Sequence, residues 1–278
     1  MKYIVFTDMD GTLIDHDTYS YKPAEEALSL LKNREIPLIF CTSKTRAEIE
    51  VYTKEMGLIH PFISENGGAI FIPLNYFNVD YKYDYISKNY HVIELGTKYQ
   101  TLRKVLEGIR SELGLKIVGF GDLTPSEISE ITGLDLESAK LAGKREYDEA
   151  FTIENDGYTQ EELQELIEKM ISIIKSSGLS YTKGGRFWHL MGDNDKGKAV
   201  KILSQIYEQE YGPLKTIGLG DSLNDLSMLH AVDIPVLVQK PGGIHDPEIN
   251  DPRIKYSEGV GPVGWNLSLK KILSDSSK

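Results

Sequence analysis

Two apolar runs far apart in the chain end in the same way: "YIVFTD" closes at Asp8 and "LKTIGLGD" at Asp221. Short runs rich in β-branched and aromatic residues read as buried strands. Helical segments between such runs make the strands parallel, with helices on the faces of the sheet. In parallel sheets, functional side chains gather beyond the carboxyl ends of the strands. An aspartate at each of two such ends therefore places two carboxylates on one edge. It restricts the chain to an α/β fold built on a parallel sheet.

The rest of the first 72 residues agrees. "PAEEALSLLKNR" (Pro23–Arg34) opens with Pro, carries early Glu and repeats Leu at helical spacing. "IPLIFC" (Ile36–Cys41) is a second strand, and Lys44–Gly57 a helix ended by glycine. "FISENGGAIF" reads as two short strands joined at a Gly-Gly turn. From about Leu74 to Leu190 the chain becomes Tyr-rich and more polar, with short strands between amphipathic helices. This reads as a separate α/β domain inserted into the first. The expected division is 1–80 and 191–278 for the core, with 81–190 as the insertion.

The strand-end residues are suited to phosphoryl chemistry. A carboxylate at Asp8 can attack phosphorus and split a hard hydrolysis into two transfers. Asp10, two residues on, is placed to protonate the leaving alkoxide and then deprotonate water. Gly11 permits the turn, and Thr12 can fix it by hydrogen bonding to backbone. In "GLGDSLNDLSML", Asp221 and Asp225 flank Asn224 where a turn opens a helix. Oxygen ligands of this kind suit Mg²⁺. Thr42 and Ser43 lead from a strand into a helix, where a hydroxyl and amide groups can seat a phosphate. Each of these has a plainer reading as a turn or helix cap. Lys196, at a helix start, can neutralise phosphate, with Lys198 as the competing assignment. Cys41 reads as a buried core thiol.

Composition narrows the partners. A net charge of −11 argues against nucleic acid or anionic lipid. An anionic substrate then needs a cation and a few Lys or Arg side chains in a cleft. The single cysteine excludes an internal disulfide. With no long apolar run and a strand-like start instead of a signal peptide, the expectation is a cytoplasmic protein.

"DMDGT", "CTS", Lys196 and "GDSLND" resemble, in order, the four motifs of the haloacid dehalogenase (HAD) superfamily, and the insertion resembles the cap of its Cof-type branch. The resemblance implies a Rossmann-like core with an inserted α/β cap of the C2B type. It makes Asp8 the nucleophile, Asp10 the acid/base and Thr42 the phosphate-binding hydroxyl, with Lys196 as the motif lysine. Mg²⁺ would be held by Asp8, Asp221 and the Asp10 carbonyl, supported by Asn224 and Asp225. "TSKTRAE", "SENGGAI", "AKLAGKREYDEAF", "GGRFWHLMGDNDKGKAV" and "GPVGWN" are similar to a narrower group of phosphatases acting on a small phosphorylated sugar-glycerate, mannosyl or glucosyl. Lys44, Arg145 and Arg186 are then candidates for the carboxylate, and Glu65 and Asn66 for hydroxyl groups. Trp188 and Trp265 are sugar-stacking or core residues, and His189 is a pocket or structural residue. A sugar phosphomutase, a Cof-type phosphatase for another sugar or nucleotide phosphate, and a non-catalytic phosphosugar sensor are the rival readings.

Overall fold

A computed structural model describes residues 2–184 and 187–275; Arg186 lies outside them. Along the chain, β1 (Lys2–Thr7), α1 (Glu25–Asn33), β2 (Leu38–Phe40) and α2 (Arg46–Glu55) are followed by β3 (Phe62–Ser64), β4 (Ala69–Pro73), β5 (Tyr85–Ser87) and β6 (Tyr90–Glu94). Next come α3 (Tyr99–Leu113), β7 (Ile117–Gly119), α4 (Pro125–Thr132), α5 (Leu136–Ala142), β8 (Asp148–Ile153) and α6 (Gln160–Ser176). The hairpin β9 (Ser180–Gly184) and β10 (Phe187–Met191) leads to α7 (Lys196–Tyr211) and β11 (Leu214–Gly220). Then α8 (Leu226–His230), β12 (Ile234–Gln239), β13 (Lys255–Val260) and α9 (Gly261–Asp275) complete it.

The described residues fall into two compact units. The first takes those of 1–43, 56–94 and 195–278; the second takes 44–55 and 95–194. In the first unit a five-stranded sheet runs β13-β12-β11-β1-β2 with every pairing parallel. Ile4, Val5 and Phe6 of β1 have no exposed surface. That is why the strand reads as an unbroken apolar run: both its faces are covered. Thr7 stands opposite Leu219 of β11 and Phe40 of β2, so three adjacent strands end together. An antiparallel sheet, β3-β4-β6-β5, completes this unit.

Two boundaries differ from the sequence expectation of 81–190 for the insertion. β5 and β6 pair with each other, and β6 pairs with β4, which keeps the chain in the first unit as far as Glu94. The helix α2 groups instead with the second unit. There Arg46 Nη2 contacts Glu146 Oε1 at 2.7 Å, and the Thr45 hydroxyl donates to the Leu141 carbonyl at 3.0 Å. The second unit otherwise holds the antiparallel sheet β7-β8-β10-β9, with α3 and α6 packed through Leu102, Leu106, Met170 and Ile174.

The turn between β3 and β4 also differs in detail. Glu65, Asn66 and Gly67 all adopt positive φ, at 46°, 59° and 88°, whereas Gly68 is right-handed. Gly67 is the glycine the turn requires: a Cβ there would lie 2.4 Å from the Asp195 carbonyl carbon. Left-handed backbone at buried Glu65 and Asn66 is costly, roughly 1–3 kcal/mol per residue.

Candidate active site

The shared register of β1, β2 and β11 brings the residues just beyond them together. Asp8 succeeds β1, Thr42 lies just past β2, and Asp221 succeeds β11. The buried ammonium of Lys196, first residue of α7, lies 2.8 Å from Asp8 Oδ1 and 2.6 Å from Asp225 Oδ1. Asp195 caps α7, accepting from the Lys198 amide at 2.8 Å, and Lys198 itself is exposed. Of the two candidate lysines, Lys196 is therefore the one within the carboxylate cluster.

Asp225 organises the loop. Its Oδ2 accepts from the Asp221 and Ser222 amides at 3.0 and 3.2 Å, while its Oδ1 holds Lys196. Asp221 receives the Ser222 hydroxyl at 2.9 Å and the Thr12 hydroxyl at 3.3 Å. Sequence reading expected Thr12 to brace its own turn; its hydroxyl instead crosses to the neighbouring strand end. Asn224 donates from Nδ2 to Asn66 Oδ1 at 3.3 Å, and the Asn66 amide donates to the Thr42 carbonyl at 2.9 Å. The strained turn after β3 thereby ties the second and fourth motifs together. Asp10 is half-buried in the turn whose Gly11 has φ +75°.

Electrostatics set this cluster apart. Burial pushes the Asp8 carboxyl well up, helped by the charge of Asp225 and opposed by Lys196. Burial, with Asp225, raises Asp221 to about 6. Burial opposes the Lys196 charge, but Asp225 and Asp8 outweigh it and hold the ammonium protonated. Burial also pushes the Cys41 thiol up, as suits a core side chain.

A divalent cation fits here. Asp8, Asp221 and Asp225 offer oxygens within 4.8 Å of one another. Lys196 contacts Asp8 and Asp225, while Asp221 is met by the Ser222 and Thr12 hydroxyls, so carboxylates outnumber the lysine that they surround. A Cβ on Gly11 would stand 3.2 Å from Asp221 Oδ2, so glycine keeps the space beside that oxygen clear. Hard oxygen donors of this kind favour Mg²⁺ or a close neighbour.

The remaining candidates divide by unit. In the second, Lys44 pairs with Glu48 at 3.6 Å, and α2 is closed by a reciprocal capping box between Thr45 and Glu48. His189 Nδ1 lies 2.9 Å from Oδ1 of fully buried Asp148. Arg145 donates from Nε to the Ala142 carbonyl at 3.1 Å and sits over the Phe120 ring. Trp188 packs in the core of that unit beside Phe151 and Tyr181. In the first unit, Ser43 is half-buried and Glu65 fully buried. Trp265 is 0% exposed, which removes it as a sugar platform. The sequence reading missed the Thr7 hydroxyl, which accepts from the Trp265 indole; no motif marks a contact between residues so far apart.

A strand-end carboxylate braced by a buried lysine beside an acidic loop is the equipment of a hydrolase. The chain belongs to the haloacid dehalogenase-like hydrolase family, whose model matches residues 5–240. It is thus a phosphoric monoester hydrolase. A glucosyl-3-phosphoglycerate/mannosyl-3-phosphoglycerate phosphatase of Methanococcoides burtonii is 58% identical over 277 residues, covering 100% of this chain and 99% of the relative. A mannosyl-3-phosphoglycerate phosphatase of Pyrococcus horikoshii is 39% identical, covering 84% of this chain and 90% of the relative. Among solved structures, a HAD subclass IIB sugar phosphatase matches with a TM-score of 0.63 at 17% identity, covering 98% of this chain and 99% of that one. The α/β core with an inserted cap of this subclass is therefore the fold of the chain. Among the described residues, no helix is long and apolar enough to cross a membrane.

Proposed function

We propose that this chain is a Mg²⁺-dependent phosphatase that converts mannosyl-3-phosphoglycerate to mannosylglycerate and phosphate. The observation that carries this reading is the buried Asp8–Lys196–Asp225 cluster, with Asp221 beside it, in a chain so similar to relatives bearing that name. Asp8 attacks phosphorus in line; the phosphorus–oxygen bond to the glycerate breaks, and Asp10 protonates the departing alkoxide. Asp10 then takes a proton from water, which attacks the aspartyl-phosphate and returns Asp8 as a carboxylate. Lys196 holds the Asp8 carboxylate in place and offsets charge on the phosphoryl oxygens. Thr42 and Ser43 seat the phosphate. Asp8, Asp221 and the Asp10 carbonyl would hold Mg²⁺, with Asn224 and Asp225 in support. The ion would supply charge neutralisation between nucleophile and phosphate.

Glu65, Asn66, Lys44, Arg145, Arg186 and His189 remain the candidates for the sugar-glycerate portion. A second reading makes the glucosyl analogue an equal substrate; the double name of the 58% identical relative favours it. The test is phosphate release from the mannosyl and glucosyl compounds, mannose 6-phosphate and 3-phosphoglycerate, with Mg²⁺ or EDTA. Metal-dependent release from the mannosyl compound, little from the last two, is expected. Release from all four alike would reduce the reading to a general phosphatase. No release from any would favour a mutase or a sensor.

A further inference from the structure

The β1–β11 ladder breaks at the nucleophile. The Asp8 amide still donates to the Leu219 carbonyl at 2.9 Å. In a parallel ladder, the Asp8 carbonyl would next accept from the Asp221 amide. That amide is instead taken by Asp225 Oδ2 at 3.0 Å. The Asp8 carbonyl is satisfied from its own strand, by the Thr7 hydroxyl at 2.7 Å. The Trp265 indole N–H in turn donates to the Thr7 oxygen at 2.9 Å.

A hydroxyl has one proton and two lone pairs. With the indole on its oxygen, the Thr7 proton is directed at the Asp8 carbonyl. Thr7 and Trp265 are both 0% exposed and Asp8 is 5% exposed, so water does not replace a lost bond. The helix carrying Trp265 is anchored independently, since Asn266 Oδ1 accepts from the Ala27 amide at 2.8 Å.

We propose that Thr7 and Trp265 are positioning residues for the nucleophile: one shared hydroxyl fixes the Asp8 backbone torsion from which its carboxylate is presented. The inference rests on Asp8 acting as nucleophile. It assigns α9, otherwise a packing helix, a part in catalysis.

The experiment compares Thr7→Val, Thr7→Ser and Trp265→Phe with wild type, measuring kcat, KM and melting temperature with Mg²⁺. Both mannosyl-3-phosphoglycerate and para-nitrophenyl phosphate serve as substrates, so failure of the substrate assignment and failure of the positioning role give different patterns. Thr7→Val, nearly isosteric but without the hydroxyl, should lower kcat about tenfold or more with KM near wild type. Thr7→Ser should restore most of kcat although it removes a methyl group. Trp265→Phe should behave like Thr7→Val, and it carries the comparison should Thr7→Val not fold. Wild-type kcat in Thr7→Val or Trp265→Phe, with only the melting temperature lowered, would overturn the proposal. So would a Thr7→Ser variant as slow as Thr7→Val.

Discussion

Each unit contains a charge cluster built around buried carboxylate, and the two are balanced differently. In the second unit, Glu149 receives the Tyr99 hydroxyl and the Arg103 guanidinium, each at 2.5 Å, and the Gly121 amide at 3.2 Å. Asp122 pairs with both Arg103 and Arg110. Burial opposes the Asp122 charge, but the two guanidinium groups hold its carboxyl well below the usual range. Every carboxylate there has a guanidinium partner, the exposed Glu107 included, which Arg110 reaches at 2.9 Å. At the end of β1, three carboxylates lie together, Lys196 contacts two of them, and burial leaves Asp8 and Asp221 raised. A balanced cluster joins elements of a fold; an unbalanced one is prepared for a charged visitor. A perturbed group near unpaired charge in a cleft is thus a functional signal, whereas a closed ion-pair network is not.

The most severe way to break the unbalanced cluster is Asp8→Asn. Turnover should fall about 10⁴-fold or more in a phosphate-release assay, and Asp10→Asn should leave little activity. Substantial activity in Asp8→Asn would end the covalent scheme. Lys196→Met should cost about 10²–10³-fold in kcat. It also strands the carboxylates, so denaturant melts in EDTA should show a loss of about 3–5 kcal/mol, partly recovered with Mg²⁺.

Glu149→Gln sharpens the contrast from the other side. It should lower stability by about 1–3 kcal/mol, because it leaves the half-buried Arg103 guanidinium with a weaker partner, while kcat stays near wild type. The smallest effect expected is one of pH. Asp221 binds its proton more tightly in the folded chain, with a pKa near 6, than an ordinary aspartate does. Between the unfolded value, about 3.9, and 6 the folded state therefore holds more protons, and metal-free stability falls as pH rises. Mg²⁺ should then raise the melting temperature by a few degrees more at pH 7 than at pH 5. An equal shift at both would show that Asp221 carries no such linkage.

Much of the first cluster was legible because its members sit at strand ends, where an apolar run stops abruptly at a carboxylate. Asp8, Lys196 and Asp221 each occupy such a position or a helix start. The cluster around Glu149 was not legible: Tyr99, Arg103, Asp122 and Glu149 meet only after the sheet β7-β8-β10-β9 forms, and no short spacing announces them. β5 and β6 were assigned to the insertion because the chain turns Tyr-rich and polar just before and through them, at Tyr76, Tyr81, Tyr83, Tyr85 and Tyr90. Their pairing with β4, a non-local choice, puts them in the first unit. Trp265 raised the same difficulty. An indole reads as packing until its N–H is seen to meet a threonine on the first strand.

The ion pair between Asp8 and Lys196 joins residues separated by 188 positions. A chain emerging from the ribosome therefore carries Asp8 long before Lys196 can hold it. The edge strand β2 is available early, but β11, the other neighbour of β1, arrives only after the whole insertion has been made. The second unit, α2 included, is by then complete in sequence and free to fold, while the first still has one side of β1 unpaired. The enzyme becomes chemically competent late in its own synthesis, when the loop carrying Asp221 and Asp225 reaches the strand made first.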